Sequence, residues 1–264
     1  MIDGLVKKFC TPPHMEITNF DLKSISSSIQ TYIDFEETQI PIYSWGKGEN
    51  VLLVHGWGSR ASHMSLFARI ISEAGFNVFA FDAPAHSSIT NNPSKELSNM
   101  FEFGRSISAV ANHLGDIYAV VAHSLGAIST IFTITGFMKL RGYDFISKKV
   151  VLVSSPSSVE SIITSFSKVN NLTESEKIKL TYRLENEFEF SISDYCVSNA
   201  LKNISKEIMV IHDEDDDDVP ISNAYDFQKS MTEIKIHFTK GLGHTKILFD
   251  RSTIRIALNF IEGI

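Results

Sequence analysis

The stretch Val120-Val121-Ala122-His123-Ser124-Leu125-Gly126-Ala127 constrains this chain more than any other. An apolar run of strand character leads into a single serine. The residues two positions to either side, Ala122 and Gly126, are small. The pattern approximates G-x-S-x-G, with alanine in place of the first glycine. A sharp strand-to-helix turn requires such a pattern: it strains the serine backbone, lifts the Oγ clear of the sheet and leaves no room for bulk two residues away. Five-residue matches arise by chance, so the rest of the chain must supply a strand before the turn, a helix after it and partners for the hydroxyl.

The flanking sequence has the required rhythm. Thr31–Phe35 and Ile40–Trp45 are β-branched or aromatic-rich and bounded by turn residues, as in a hairpin. Val51–Val54 is wholly apolar, as a strand buried on both faces must be. Apolar residues Phe67, Ile70, Ile71 and Ala74 share a helical face over Ser62–Ala74, and Gly75 marks the stop. Asn77–Phe81 reads as a strand. Pro93–Leu114 reads as a helix with Asn92 as its cap and Pro93 in its first turn. Ile117–Ala122 is a strand, Leu125–Leu140 a helix and Lys149–Val153 a strand. The pattern then breaks: residues 154–205 are polar and Ser/Asn/Glu/Lys-rich, with helical character over Thr173–Asn186. Strand Glu207–Ile211, helix Ile221–Met231, strand Ile234–Phe238 and helix Ile247–Ile264 complete the chain. Alternating apolar strands and helices predict an α/β fold with a mostly parallel sheet and helices on both faces. The segment of about fifty residues from 155 to 203 is longer than an ordinary loop and is expected to form a helical cap over the strand ends. A single domain over 1–264 is expected.

Composition narrows the function. The 264 residues are 43% hydrophobic and 21% charged, the balance of a globular chain with a substantial core. A formal charge of −7 argues against a nucleic-acid footprint. Cys10 and Cys196 form no C-x-x-C pair, so neither a zinc ribbon nor a disulfide framework is indicated. Met1–Pro13 lacks the apolar core of a secretory signal and no apolar run is long enough to span a bilayer, so a cytoplasmic location is expected. The acidic run Asp213–Asp218 suggests calcium at first sight. A calcium-binding EF-hand loop beginning at Asp213 would need glycine at its sixth position and glutamate at its twelfth, where Asp218 and Ala224 stand. The run is read instead as solvated loop charge around one functional acid. No cofactor or metal is expected.

A serine hydroxyl is a poor nucleophile unless a base lies within hydrogen-bond reach and an acid orients that base. Two downstream segments can supply them: the loop His212–Pro220 and the glycine-flanked His244 in Lys240-Gly241-Leu242-Gly243-His244. Both follow strands, as Ser124 does, so their carboxyl ends can converge. His55 and His86 are expected to stabilise turns, and His123 to pack.

Taken together, His55-Gly56-Trp57-Gly58, Asp82-Ala83-Pro84-Ala85-His86-Ser87, the turn at Ser124, His-x-x-x-Asp-x-x-Val-Pro and Gly-x-Gly-His resemble the motifs of the α/β-hydrolase superfamily, in order, from about residue 40 to the C-terminus. The resemblance implies Ser124 as nucleophile, His244 as base and Asp216 as acid, with Asp215 and Asp217 one residue away in the same run. It implies an oxyanion hole formed by the backbone N–H groups of Trp57 and Leu125. The expected reaction is hydrolysis of a small-molecule carboxylic ester or thioester of small to medium acyl size. The alternatives are a carbon–carbon bond hydrolase with the same triad and a non-catalytic ligand-binding protein on the same fold. Three positions depart from the usual pattern, Ala85, Ser87 and Ala122, where glycine is common. Alanine does not take positive φ cheaply, so both alanine backbones are expected in ordinary regions.

Overall fold

The computed structural model describes residues 2–86, 95–138, 145, 147–202 and 206–264. Its strands are β1 (Ile29–Phe35), β2 (Thr38–Gly46), β3 (Asn50–Val54), β4 (Asn77–Phe81), β5 (Ile117–His123), β6 (Ser147–Val153), β7 (Glu207–Asp213) and β8 (Lys235–Thr239). They form one sheet in the order β1-β2-β4-β3-β5-β6-β7-β8. The hairpin of β1 and β2 is antiparallel, and β2 runs antiparallel to β4. Every pairing from β4 to β8 is parallel.

Side chains alternate across a strand, and here both faces are buried. Leu52 and Val54 of β3, Val120 and Ala122 of β5 and Val150 and Leu152 of β6 face one apolar core. Val51, Leu53, Ala119, Val121, Val151 and Val153 face the other. The first core is covered by α4 (Met100–Leu114), α5 (Leu125–Ile134) and α9 (Ser222–Ser230), through residues such as Phe103, Ile107, Ile128 and Phe227. The second is covered by α3 (Ser65–Glu73) and α11 (Arg251–Glu262), through Phe67, Ile71, Ile254 and Phe260. This is the α/β layering expected from the apolar runs.

Helices α6 (Val159–Val169), α7 (Glu174–Phe188) and α8 (Val197–Ala200) occupy the segment between β6 and β7. The polar α7 starts at a capping box in which Thr173 and Glu176 satisfy each other's backbone N–H groups. It buries Leu180 and Leu184. Two helices precede the sheet, α1 (Ile2–Phe9) and α2 (Asn19–Ile25), and α1 lies against α7. No helix of the described residues is long and apolar enough to cross a membrane.

Several boundaries differ from expectation. Asn92 and Pro93 lie outside the described residues, but residues 95–99 are not helical and α4 begins at Met100. Its cap is Asn99, whose side chain accepts the Glu102 N–H at 2.9 Å. Pro93 suits a first turn, but the residue that satisfies an orphan helix donor is Asn99. Helix α5 ends at Ile134, ahead of Gly136 at φ 68°, rather than reaching Leu140, which is itself outside the described residues. The closing helix is split, with a 3-10 turn at Ile247–Phe249 and a fresh start at Arg251. Asp250 causes the break by capping the Thr253 N–H at 2.7 Å.

The expectation for Ala85 is overturned: its φ is 65°. Two buried histidines impose the turn, with the Ala83 N–H donating to His55 Nε2 at 3.0 Å and His86 Nδ1 donating to the Pro84 carbonyl at 2.8 Å. Ala122, by contrast, keeps ordinary strand backbone. A left-handed alanine costs about 1–2 kcal/mol, so Ala85→Gly should raise unfolding free energy by about 1 kcal/mol after glycine's own entropy cost. Urea denaturation measures this, and a lower midpoint in the glycine variant would contradict it.

Candidate active site

Ser124 closes β5 and opens α5 with φ 53° and ψ −125°, a conformation costly for any residue but glycine. Its N–H donates to the Val153 carbonyl at 3.0 Å, which ties the turn to β6. The small neighbours are required by contact. A Cβ at Gly126 would overlap the His55 carbonyl oxygen, and a Cβ at Gly56 would come 2.8 Å from the Ser124 Cβ.

His244 lies in the short helix α10 (Gly243–Lys246), just after β8. Its Nε2 is 2.9 Å from Ser124 Oγ and its Nδ1 is 2.8 Å from Asp216 Oδ2. A carboxylate can only accept, so Nδ1 carries the proton and Nε2 is free to accept from the serine hydroxyl. The other Asp216 oxygen accepts the N–H groups of Asp218 at 3.0 Å and Val219 at 2.8 Å. Burial raises the Asp216 carboxyl, but the hydrogen bond and charge of His244 and the Val219 N–H outweigh it and hold the group below the ordinary carboxylate value. Asp217 is exposed, and Asp215 turns away to accept the Gly241 N–H at 3.0 Å. The structure therefore brings Ser124, His244 and Asp216 together, and leaves Asp215 and Asp217 outside the contact. Trp57 and Leu125 line the same cavity as Ser124 and His244. The Leu125 N–H is at the start of α5, where a helix has unsatisfied donors and a positive dipole end.

Two residues not assigned a site role by sequence support this arrangement. Asp213 is fully buried and is not part of a solvated acidic loop. Its Oδ1 accepts the N–H groups of Asp215 at 3.0 Å and Gly243 at 2.9 Å, and its Oδ2 accepts Thr239 Oγ1 at 2.7 Å and the Leu242 N–H at 3.1 Å. Burial raises its carboxyl, but these four donors lower it on balance. One carboxylate thus fastens the acid loop to the histidine loop. The signal was its place at the end of an apolar strand, the last residue before the chain turns. His123 is also more than packing. Its ring is 4.7 Å from the His244 ring and its Nε2 is 2.9 Å from the His244 carbonyl oxygen, so that nitrogen donates. Burial, then the nearby His244, push its pKa down to about 3. A neutral ring so close adds no charge against a protonated His244. Asp216, Asp218 and His244 also place possible ligand atoms within 4.8 Å of one another. Asp216 and the Nδ1 of His244 are already spent on the hydrogen bonds above.

His55 and His86 stabilise turns, as expected. Burial holds His86 down at about 4 and His55 far below the ordinary histidine value. A histidine whose folded pKa is depressed binds its proton more readily in the unfolded chain, so stability falls as pH drops below about 6.5 and stops falling once the folded value is passed. For His86 and His123 the window runs from about 6.5 to about 4 and about 3. Acidification from pH 7 to pH 5 should cost about 2 kcal/mol for each of the two. Urea melts at the two pH values measure it, His86→Asn should flatten the dependence, and a stability unchanged at pH 5 would contradict the assignment.

Among curated protein sequences nothing matches this one. Solved structures share its fold. A thioesterase domain from the curacin biosynthetic pathway is 18% identical, covers 90% of this chain and 100% of its own, and has a TM-score of 0.62. A serine hydrolase from the polyaromatic-hydrocarbon-degrading bacterium Cycloclasticus zankles is 16% identical over 90% of this chain and 99% of its own, with a TM-score of 0.65. A membrane phospholipase A described as a bacterial virulence factor is 15% identical over 90% and 87%, again at 0.65. The model of the alpha/beta hydrolase family matches residues 51–190, more than half of the sequence. With the sheet order, the turn at Ser124 and this match in hand, the chain belongs to the alpha/beta hydrolase family.

Proposed function

We propose that this protein is a serine hydrolase that cleaves carboxylic esters or thioesters through an acyl-enzyme. The observation that carries the reading is the continuous chain of hydrogen bonds from Ser124 Oγ through His244 to the buried carboxylate of Asp216. Ser124 Oγ attacks the acyl carbonyl while its proton passes to His244 Nε2. Asp216 keeps the imidazole in the tautomer that can accept and stabilises the cation that forms. Charge builds on the carbonyl oxygen, and the N–H groups of Leu125 and Trp57 are its proposed donors, each contributing about 3–4 kcal/mol by comparison with other oxyanion holes. Collapse expels the alcohol or thiol, which takes the proton from His244. Water then attacks the acyl-enzyme, giving its proton to His244, and the carboxylic acid leaves as Ser124 recovers its own.

Residues 155–202 are proposed to act as a cap, since residues of α6 and α7 line the cavity that contains Ser124. A binding-only protein on this fold has no need of a complete relay, and the intact set of Ser124, His244 and Asp216 favours the catalytic reading. Carbon–carbon hydrolysis would use the same three groups, and a panel of esters, thioesters and vinylogous diketones separates the chemistries.

Ser124→Ala should abolish labelling by a fluorophosphonate probe and lower kcat for p-nitrophenyl butyrate by about 10⁶-fold. Labelling that survives in the folded variant rules out Ser124 as nucleophile. Asp216→Asn reverses the tautomer preference of His244 and should lower kcat by about 10⁴-fold. Asp217→Asn should cost no more than about tenfold, because an exposed charge outside the relay acts only at a distance. Equal losses in the two variants would overturn the choice of acid.

A further inference from the structure

The cavity beside Ser124 has a volume of about 740 Å³, within the range of sites that enclose a small molecule. Its walls come from four parts of the chain. The sheet end contributes Trp57, Ser124, Leu125 and His244, and the segment between β6 and β7 contributes Val159, Ile162, Phe166, Phe188 and Phe190. Residues 8–14, ahead of the whole sheet, supply the third wall, and residues 98–101 at the start of α4 the fourth. Among the described lining residues only Lys8 and Asp218 carry a formal charge.

The N-terminal wall is built into the molecule. The Ser98 N–H donates to the Cys10 carbonyl at 2.8 Å. A Cβ at Gly58 would collide with Pro13, so the chain crosses that glycine with no room to spare. Further along, the buried guanidinium of Arg60 donates to the Met15 carbonyl at 2.6 Å. Phe9 meets Phe166 edge to face with ring centroids 5.0 Å apart, joining the N-terminal wall to the helical one. Cys10 is buried there as a thiol that burial pushes up to about 11, so it contributes an uncharged surface.

We propose that this cavity is an acyl-chain subsite for a medium-length apolar chain, and that Phe9 in the N-terminal segment is a residue that sets its chain-length preference. The inference rests on Ser124 as the acyl acceptor. Apolar side chains in the walls reward each methylene withdrawn from water by roughly fourfold in kcat/KM. A chain bound by its carbonyl at Ser124 and lying along the wall where Phe9 meets Phe166 gains that increment at successive carbons, which an acetyl group lacks.

The test is a series of p-nitrophenyl esters from acetate to octanoate, with calorimetry of octanoate and dodecanoate binding to Ser124→Ala. The full chain should favour octanoate over acetate in kcat/KM by at least about a hundredfold. Phe9→Ala should lower the octanoate-to-acetate ratio at least about fivefold, and Phe9→Leu, closer in volume, should lower it less. If Phe9→Ala does not fold, Phe9→Leu carries the comparison alone. Turnover without a chain-length preference, or a ratio unchanged in a folded Phe9 variant, overturns the subsite and leaves the hydrolase reading intact. Fatty-acid binding by Ser124→Ala, weakened by Phe9→Ala, alongside no ester or thioester turnover by the full chain, supports the subsite and overturns the hydrolase reading. Absence of fatty-acid binding overturns the subsite.

Discussion

The backbone of Ser124 at φ 53° is the constraint on which the rest of the site depends. An L-residue held there costs of order 1–3 kcal/mol, and it persists only where its surroundings leave no alternative. Here they leave none. Strand β5 lies between β3 and β6 in a parallel ladder and cannot shift without breaking both. Helix α5 begins at the next residue, and its Gly126 is in contact with the His55 backbone. The same geometry that strains the serine points its Oγ away from the sheet and places an N–H of α5 beside it. Strain, exposure of the hydroxyl and the donor are therefore one feature of the fold.

The proposed acid and base depend on a different kind of restraint. Neither His244 nor Asp216 belongs to a strand or a long helix, so the sheet does not hold them directly. The buried Asp213 carboxylate does, by accepting donors from both loops at once. Burying a carboxylate is costly unless its oxygens are fully hydrogen-bonded, and four donors meet that condition. His123 adds a second fastening, from its ring to the His244 carbonyl. Both restraints act on the main chain of the histidine loop and leave the imidazole free to exchange its proton.

The sheet was legible because strands buried on both faces read as unbroken apolar runs, and Val51–Val54 or Val150–Val153 offer no competing periodicity. The serine turn was legible because steric exclusion at Ala122 and Gly126 leaves a mark in residue size. The start of α4 was not, since Pro93 satisfies a local rule for a first turn and only the contacts of the folded chain show that Asn99 supplies the cap. Nor could the six acidic residues from 213 to 218 be sorted by type. Which carboxylate faces inward is decided by where β7 ends, a matter of one residue. Ala85 shows the same limit from the opposite side: two histidines and their hydrogen bonds force a conformation that alanine by itself avoids.

The fold does not choose the substrate. Structures that share this architecture over about nine-tenths of the chain carry names as different as thioesterase domain and phospholipase A. What they have in common is the sheet, and the sheet here supplies only one side of the cavity. One further side comes from the start of α4, and the rest from α6 and α7 after β6 and from residues 8–14, which belong to no strand. The last two segments are distant in sequence and meet through apolar contacts, Phe9 on Phe166 and α1 along α7. Apolar contact constrains volume and shape more loosely than hydrogen bonds constrain direction. Substitutions there change the cavity without disturbing Asp213, His123 or the turn at Ser124. On the proposed function, selectivity and reactivity are thus carried by different interactions in this molecule, so an acyl preference could change through the wall while Ser124, His244 and Asp216 remain in place.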